Sequence, residues 1–272
     1  FSQSEQAVDI PFYAFILAGL FVGFVVGLTG VGGGSLMTPI LIFVFGVKPS
    51  LAVGTDLLFA AGTKFFGVAK LARGKTVDWQ IVGSLCAGSI PAALLSVYAL
   101  HRWGQEGKDI QSLITGVLGV ALLLTAAATL YKAIKGKKQG QERSASPDLD
   151  PTRPRHWALP IVFGAVIGTL VSFTSVGAGA IGVTVLMLLY PALPLHRIVA
   201  ADLAYAVPLT LVAGLGHASV GAVDWRLLGC LLAGSIPGIW LGAHLVPRTP
   251  DRVIRSLLSV LLAYAGFKLL SI

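Results

Sequence analysis

Val77-Asp78-Trp79-Gln80-Ile81-Val82-Gly83-Ser84-Leu85-Cys86-Ala87-Gly88-Ser89-Ile90-Pro91 is answered later in the chain by Val223-Asp224-Trp225-Arg226-Leu227-Leu228-Gly229-Cys230-Leu231-Leu232-Ala233-Gly234-Ser235-Ile236-Pro237. Ten of the fifteen positions match without a gap, at a displacement of 146 residues (223 − 77), close to half of the 272-residue chain. The whole chain therefore reads as a duplication. A duplicated, strongly apolar chain is the signature of a membrane transporter built from two repeats, with its site where they meet.

The composition agrees. Hydrophobic residues make up 55% of the chain and charged residues only 12%, against about 25% charged in soluble domains, and the mean hydropathy is +0.83. Most of the surface must face lipid or other helices. Thirty-three glycines suit the close backbone approach of packed membrane helices. The net charge of +8 raises nucleic acid as a partner, but the basic residues collect in loops, where membrane orientation accounts for them. No aromatic–basic interleaving of the kind that grips single strands is present. Cys86 and Cys230 fall inside apolar segments and read as small buried hydrophobes, not a disulfide framework. Phe1–Pro11 carries no Lys or Arg and lacks the basic start of a secretory signal.

Apolar runs fall at about 11–29, 35–47, 50–69, 79–100 and 111–131, then at about 157–173, 180–194, 198–216, 226–246 and 254–271. This predicts an all-α membrane protein with two transmembrane repeats, 1–132 and 157–272, joined by a linker over 133–156. The runs at 35–47 and 180–194 are shorter than the ~20 residues a spanning helix needs. Each follows a glycine-rich break, Thr29-Gly30-Val31-Gly32-Gly33-Gly34 or Thr174-Ser175-Val176-Gly177-Ala178-Gly179. Short, broken or re-entrant helices at matching places in two halves point to a transport site. The linker region holds Lys135, Lys137, Lys138, Arg143, Arg153 and Arg155, which places it in the cytoplasm and both termini outside. Lys70, Arg73, Lys75, Arg197, Arg248, Arg252 and Arg255 then fall inside, against Lys48, Arg102, Lys108 and Arg226 outside. Five segments per repeat make the repeats inverted with respect to each other.

Asp56 and Asp202, aligned by the same displacement, each sit within an apolar run. A carboxylate at a helix centre costs about 2.5–3.5 kcal/mol to insert, so it faces a cavity or a partner. Helical spacing aligns Asp56 with Ala60, Thr63 and Gly67, and Asp202 with Ala206, Leu209 and Ala213, stripes fit for a bundle interior. Loss of water favours the proton-bound carboxyl, so the pair reads as a proton relay or gate, with Thr55 beside it; the plainer role is a hydrogen bond to a neighbouring helix. The glycine breaks offer backbone N–H groups for an anion nest at the positive end of the following helix. The candidate binding residues are Thr29, Gly30, Gly32, Gly33, Gly34, Ser35, Thr174, Ser175, Gly177 and Gly179. Pro91 and Pro237 kink their helices, as hinges or as packing devices. Asp78 and Asp224 read as N-caps, with Trp79 and Trp225 as interfacial anchors. Lys64 either snorkels to the cytoplasmic interface or attracts an anion, and His217 is expected at an interface.

With these residues in view, the chain resembles the sulfite exporter TauE/SafE family of membrane permeases over nearly its whole length. The resemblance rests on Gly23, Gly27, the Gly30–Gly34 loop followed by Pro39, both Val-Asp-Trp elements and both Gly-Ser-Ile-Pro elements. It implies export of sulfite, an organosulfonate or a related small sulfur-containing anion, coupled to an ion gradient, across the bacterial inner membrane. Two departures stand out. The second glycine loop is thinned and has no counterpart of Pro39, and Asp56 and Asp202 stand where the family has small hydroxyl residues. The expected partners are a small anion, the lipid bilayer, protons as coupling ion and a further copy of the chain in a homo-oligomer; no nucleic acid, cofactor or metal is expected. The alternative within transport is a cation carrier with Asp56 and Asp202 as ligands, for which the ligand set is sparse. An intramembrane aspartyl protease, with two carboxylates sharing a proton, lacks its sequence setting, and a His-Glu-x-x-His zinc motif is absent. The chain is expected not to be an enzyme.

Overall fold

A computed structural model describes residues 12–29, 34–73, 77–105, 109–135, 158–177, 179–190, 193–245 and 251–271. The linker expected over 133–156 and the glycine loop 30–33 lie almost wholly outside the described residues. Among the described residues there are ten helices: α1 (Phe12–Thr29), α2 (Gly34–Phe43), α3 (Pro49–Arg73), α4 (Trp79–Gln105), α5 (Ile110–Lys135), α6 (Leu159–Thr174), α7 (Ala180–Leu189), α8 (Leu195–Ser219), α9 (Trp225–Leu245) and α10 (Asp251–Leu270). Among the described residues there is no strand. The bounds of α2 and α3 recur in α7 and α8 at the 146-residue displacement first seen between the Val-Asp-Trp elements.

Among the described residues, four helices are long and apolar enough to cross a membrane, namely α4, α5, α8 and α9, and α1, α6 and α10 carry shorter apolar stretches. Their outward faces are apolar as well: Leu95, Tyr98, Val120, Val166, Trp240 and Phe267 are all exposed. A soluble protein does not leave such a surface to water. Trp79 and Trp225, at the starts of α4 and α9, are 63% and 62% exposed, the same outward placement in both halves.

Helix packing explains the motif that exposed the duplication. Gly88 of α4 lies so close to α6 that a Cβ would collide with the Ile161 carbonyl, and Gly234 of α9 would collide with the Ile16 carbonyl of α1. Ser89 packs against Gly168, and Ser235 against Gly23. The Gly-Ser pair is therefore a groove in which a helix of the other half sits backbone to backbone. Gly19 meets Leu231 and Gly23 meets Ser235, so α1 and α9 run parallel. Gly164 meets Leu85 and Gly168 meets Ser89, so α6 and α4 do the same. By contrast α3 meets α8 antiparallel, Gly54 against His217 and Gly214 against Leu58, and α5 meets α10 antiparallel through Gly119 and Gly266.

The short helices are not long enough to span by helix alone. Ten residues rise about 15 Å, half of a ~30 Å hydrocarbon core. Phe45, just past α2, stacks on Phe15 near the start of α1, with ring centroids 4.6 Å apart, so α2 turns back along α1. The antiparallel pair α3–α8 forms the middle of the bundle. Positions 52–61 of α3 are buried at every residue, as only a helix enclosed on all sides can be.

Candidate functional site

The enclosed pair α3–α8 carries both aspartates. Asp56 is fully buried, and Thr38 Oγ1 of the returning helix α2 donates a hydrogen bond to its Oδ2. Its Oδ1 has no hydrogen-bond partner. Ser175, from the break between α6 and α7 in the other half, faces the same carboxylate without closing a hydrogen bond of standard geometry. The site around Asp56 is thus assembled from both halves.

Asp202, 2% exposed, has a different neighbourhood. A Cβ on Gly182 of α7 would overlap its Oδ1 and come within 2.9 Å of the Tyr205 hydroxyl. Glycine is needed there because the carboxylate and the phenol converge on that point. Tyr205 is fully buried and its hydroxyl has no hydrogen-bond partner. Where the second half has Gly182 and Tyr205, the first has Leu36 and Phe59.

Lys64 departs from the snorkelling expectation. It is 4% exposed and lies within electrostatic reach of both Asp56 and Asp202. Two buried carboxylates hold the ammonium inside, where snorkelling alone would carry it to an interface. His217, expected at an interface, is 2% exposed, and its Nε2 lies 2.9 Å from the Ser172 carbonyl oxygen. A carbonyl only accepts, so that nitrogen carries the proton.

The second glycine break is a true interruption. Helix α6 ends with Ser175 at φ 58°, and Gly177 and Gly179 follow at φ 121° and 145°, a conformation that favours glycine at both positions. The Thr174 hydroxyl is engaged within this turn, donating to the Leu170 carbonyl at 2.7 Å and accepting from the Val176 N–H at 3.1 Å. The glycine carbonyls are engaged too: Gly177 O accepts from Gly182 N–H at 3.0 Å, and Gly179 O from Val183 N–H at 3.1 Å. Ser175 is the one candidate of this break that faces a carboxylate. In the first half, Gly30, Gly32 and Gly33 lie outside the described residues, as do the side chains of Thr29 and Ser35; Gly34 begins α2.

Thr55 is buried beside Asp56, and its Oγ1 accepts a hydrogen bond of 3.0 Å from the Asp224 N–H, a second tie between the halves. Asp78 and Asp224 cap their helices through Gln80 N–H in one case, and Arg226 and Leu227 N–H in the other. Asp78 also forms a 3.4 Å ion pair with Arg197 at the start of α8. Pro91 and Pro237 lie within α4 and α9 on exposed faces, and are not brought together with the aspartates. Thr38 and Tyr205 escaped the sequence reading. Thr38 had one visible signal, a threonine at the matching position 184 of the short helix in the other half.

Comparison with known proteins agrees with this architecture. The family model "Sulfite exporter TauE/SafE" matches residues 15–269. The chain is 40% identical over 255 residues to "Probable membrane transporter protein YjnA" of Bacillus subtilis, covering 94% of this chain and 98% of that one. It is 26% identical over 271 residues to "Probable membrane transporter protein YunE" of the same organism, covering 96% and 98%. With "Probable membrane transporter protein MJ0441" of Methanocaldococcus jannaschii it shares 25% identity over 274 residues, covering 94% of each. No solved structure matches. A duplicated apolar bundle with buried charge at its middle, matched by this family over nearly its full length, belongs to the sulfite exporter TauE/SafE family and is a multi-pass membrane transporter.

Proposed function

We propose that the chain is a proton-coupled secondary transporter that exports a small sulfur-containing anion, such as sulfite or an organosulfonate, through a site between two inverted repeats, 1–132 and 157–272. The observation that carries this reading is the meeting of Thr38 and Asp56 of one half with Ser175 of the other. A site shared by two halves opens to either side when the halves rock against each other. The antiparallel meeting of α3 with α8 and of α5 with α10 supports the inversion, since a helix meets its own counterpart head to tail only when the repeats are turned over. The glycine breaks at 30–34 and 177–179 are assigned to anion binding, Asp56 and Asp202 to coupling, with Thr55 holding the Asp56 region to the second half and Pro91 and Pro237 absorbing the bend. The linker 133–156 lies in the cytoplasm of a bacterial cell and both termini lie outside. A carrier of cations is disfavoured by Lys64, whose ammonium lies near both carboxylates and would repel a second cation.

Purified protein in proteoliposomes, given concentration jumps of sulfite, thiosulfate, isethionate and formate at two pH values, tests this reading. A saturable current or pH change specific to an anion is the expected outcome. Silence toward every anion, with a response to cations, would overturn it.

A further inference from the structure

We infer that Lys64 is the cation to which the transported anion binds, and that the site therefore accepts one singly charged anion together with one proton. The inference rests on the anion-transporter reading proposed above.

Lys64 lies on α3 eight residues after Asp56. The antiparallel register, Gly54 against His217 and Leu58 against Gly214, carries Lys64 to about the level of Pro208 on α8. Asp202 lies six residues from there, so the ammonium stands between the two carboxylates along the bundle axis, and both act on it. The groups flanking Lys64 come from several packed elements: Asp56 and Thr38 of the first half with Ser175 of the α6–α7 break on one side, and Asp202 and Tyr205 of α8 with Cys86 of α4 on the other, while His217 stands farther off, level with Gly54 and bonded to Ser172. Three of them, Asp56 Oδ1, Ser175 Oγ and the Tyr205 hydroxyl, are buried polar atoms without a hydrogen-bond partner. Buried groups of this kind are rare in a native structure, and a ligand is one reason for them.

Charge sets the stoichiometry. A net charge buried among helices is costly. Lys64 ionised, one aspartate ionised and the other holding a proton make a neutral cluster. An arriving monoanion replaces the ionised aspartate as the partner of Lys64. The released carboxylate takes one proton from the aqueous side that is open, and the cluster is neutral again with the anion bound. On the other side the anion leaves, the proton leaves with it, and that aspartate pairs with Lys64 once more. One anion and one proton move together and no net charge crosses, so net export follows the outward gradient of the anion and is not driven by an inward proton gradient. A doubly charged anion would leave the cluster at −1, so sulfite enters as bisulfite, and a sulfonate with no second negative charge fits directly. Near Asp56 the Ser175 hydroxyl, and the carboxyl once it is protonated, can donate to an oxyanion, and near Asp202 the Tyr205 hydroxyl can.

The test uses the full chain in proteoliposomes with a lumenal pH dye and a potassium–valinomycin clamp, with isethionate and methanesulfonate as singly charged probes and thiosulfate as a doubly charged one. The expected result is lumenal acidification in a 1:1 ratio to monoanion uptake, unaffected by the clamped potential, and uptake of thiosulfate at least about tenfold slower. Lys64→Gln is expected to lower monoanion uptake at least about tenfold, the size of one lost charge-assisted bond, while Lys64→Arg keeps it within about threefold because the charge stays. The double variant Lys64→Gln/Asp56→Asn removes one charge of each sign, and is expected to remain monodisperse and inactive. Wild-type uptake that follows the clamped potential, or a monodisperse Lys64→Gln that transports at the wild-type rate, overturns the inference while leaving the anion transporter standing. A wild-type protein that moves none of the three probes overturns both. If neither Lys64→Gln variant folds, the wild-type ratio and potential independence decide.

Discussion

Replacing Gly234 by alanine should loosen the two halves, and the same replacement at Gly229 should not. Both residues lie in α9, so the gain in helix propensity, about 1 kcal/mol for Gly→Ala, is common to the two variants and cancels in their difference. At Gly229 an added Cβ meets nothing within 4 Å. At Gly234 it lands on the backbone of α1, 2.8 Å from Leu20 N and 2.9 Å from the Ile16 carbonyl carbon, and closer still to the carbonyl oxygen. Backbone cannot rotate away as a side chain can. Helix α1 must shift, and Gly238 and Gly242, which seat the next two turns against Leu20 and Phe24, lose their fit with it. Overpacking of this kind costs typically 1–3 kcal/mol, and a backbone collision belongs at the upper end. A difference of about 3 kcal/mol moves an unfolding midpoint by roughly 6–12 °C in a chain near this size. The assay is the apparent melting midpoint by size-exclusion chromatography of heated detergent samples. The duplication adds a second, independent pair: Gly88→Ala should melt below Gly83→Ala by a similar margin, since Gly83 is as open as Gly229 and Gly88 as closely packed as Gly234. If Gly234→Ala melts no lower than Gly229→Ala, the backbone-to-backbone account of the Gly-Ser-Ile-Pro motif is wrong.

Thr38→Val keeps the shape of the side chain and removes the donor to Asp56 Oδ2; a buried acceptor left unpaired costs about 1–3 kcal/mol, so both stability and anion flux should fall, whereas unchanged stability would mean that the carboxyl does not depend on Thr38. Arg197→Gln breaks the ion pair with Asp78, but the arginine side chain is 34% exposed, and exposed pairs contribute about 0–1 kcal/mol. A midpoint shift beyond a few degrees would therefore give Arg197 a larger structural role than this geometry supports.

The duplication was legible because it is written in helix contacts. Gly88, Ser89, Gly234 and Ser235 repeat because each half must admit a helix of the other at backbone distance, and few residue types allow that. The short helices were legible for a similar reason, since each glycine break leaves too few apolar residues after it for a full-length helix. Both a broken and a re-entrant α2 were open from the sequence, and its path beside α1 depends on Phe45 reaching Phe15 in three dimensions. For Lys64 the sequence left snorkelling and anion attraction both open, for a related cause. A lone lysine in an apolar run looks as if it must reach for water, and the carboxylate that accounts for its burial from the second half, Asp202, lies 138 residues away (202 − 64). The burial of His217 was hidden in the same way, its partner Ser172 lying on a different helix.

The scaffold repeats closely while the centre does not. Opposite Lys64 the second half has Thr210, opposite Phe59 it has Tyr205, and opposite Leu36 it has Gly182. The register of α3 on α8 shows why the lysine in particular has no counterpart. A lysine at 210 would stand at about the level of residue 62, within a turn of Lys64 and in the same enclosed space. Two ammonium groups at such separation in a poorly solvated interior repel by several kcal/mol, and each would hold one aspartate in a fixed pair. A single lysine avoids the repulsion and leaves two carboxylates, one from each half, to share one cation. The divergence at the middle of the bundle is thus what allows a symmetric scaffold to hold a charge that can change partners, and the Gly182 and Tyr205 contacts of Asp202 give the two partners unequal surroundings.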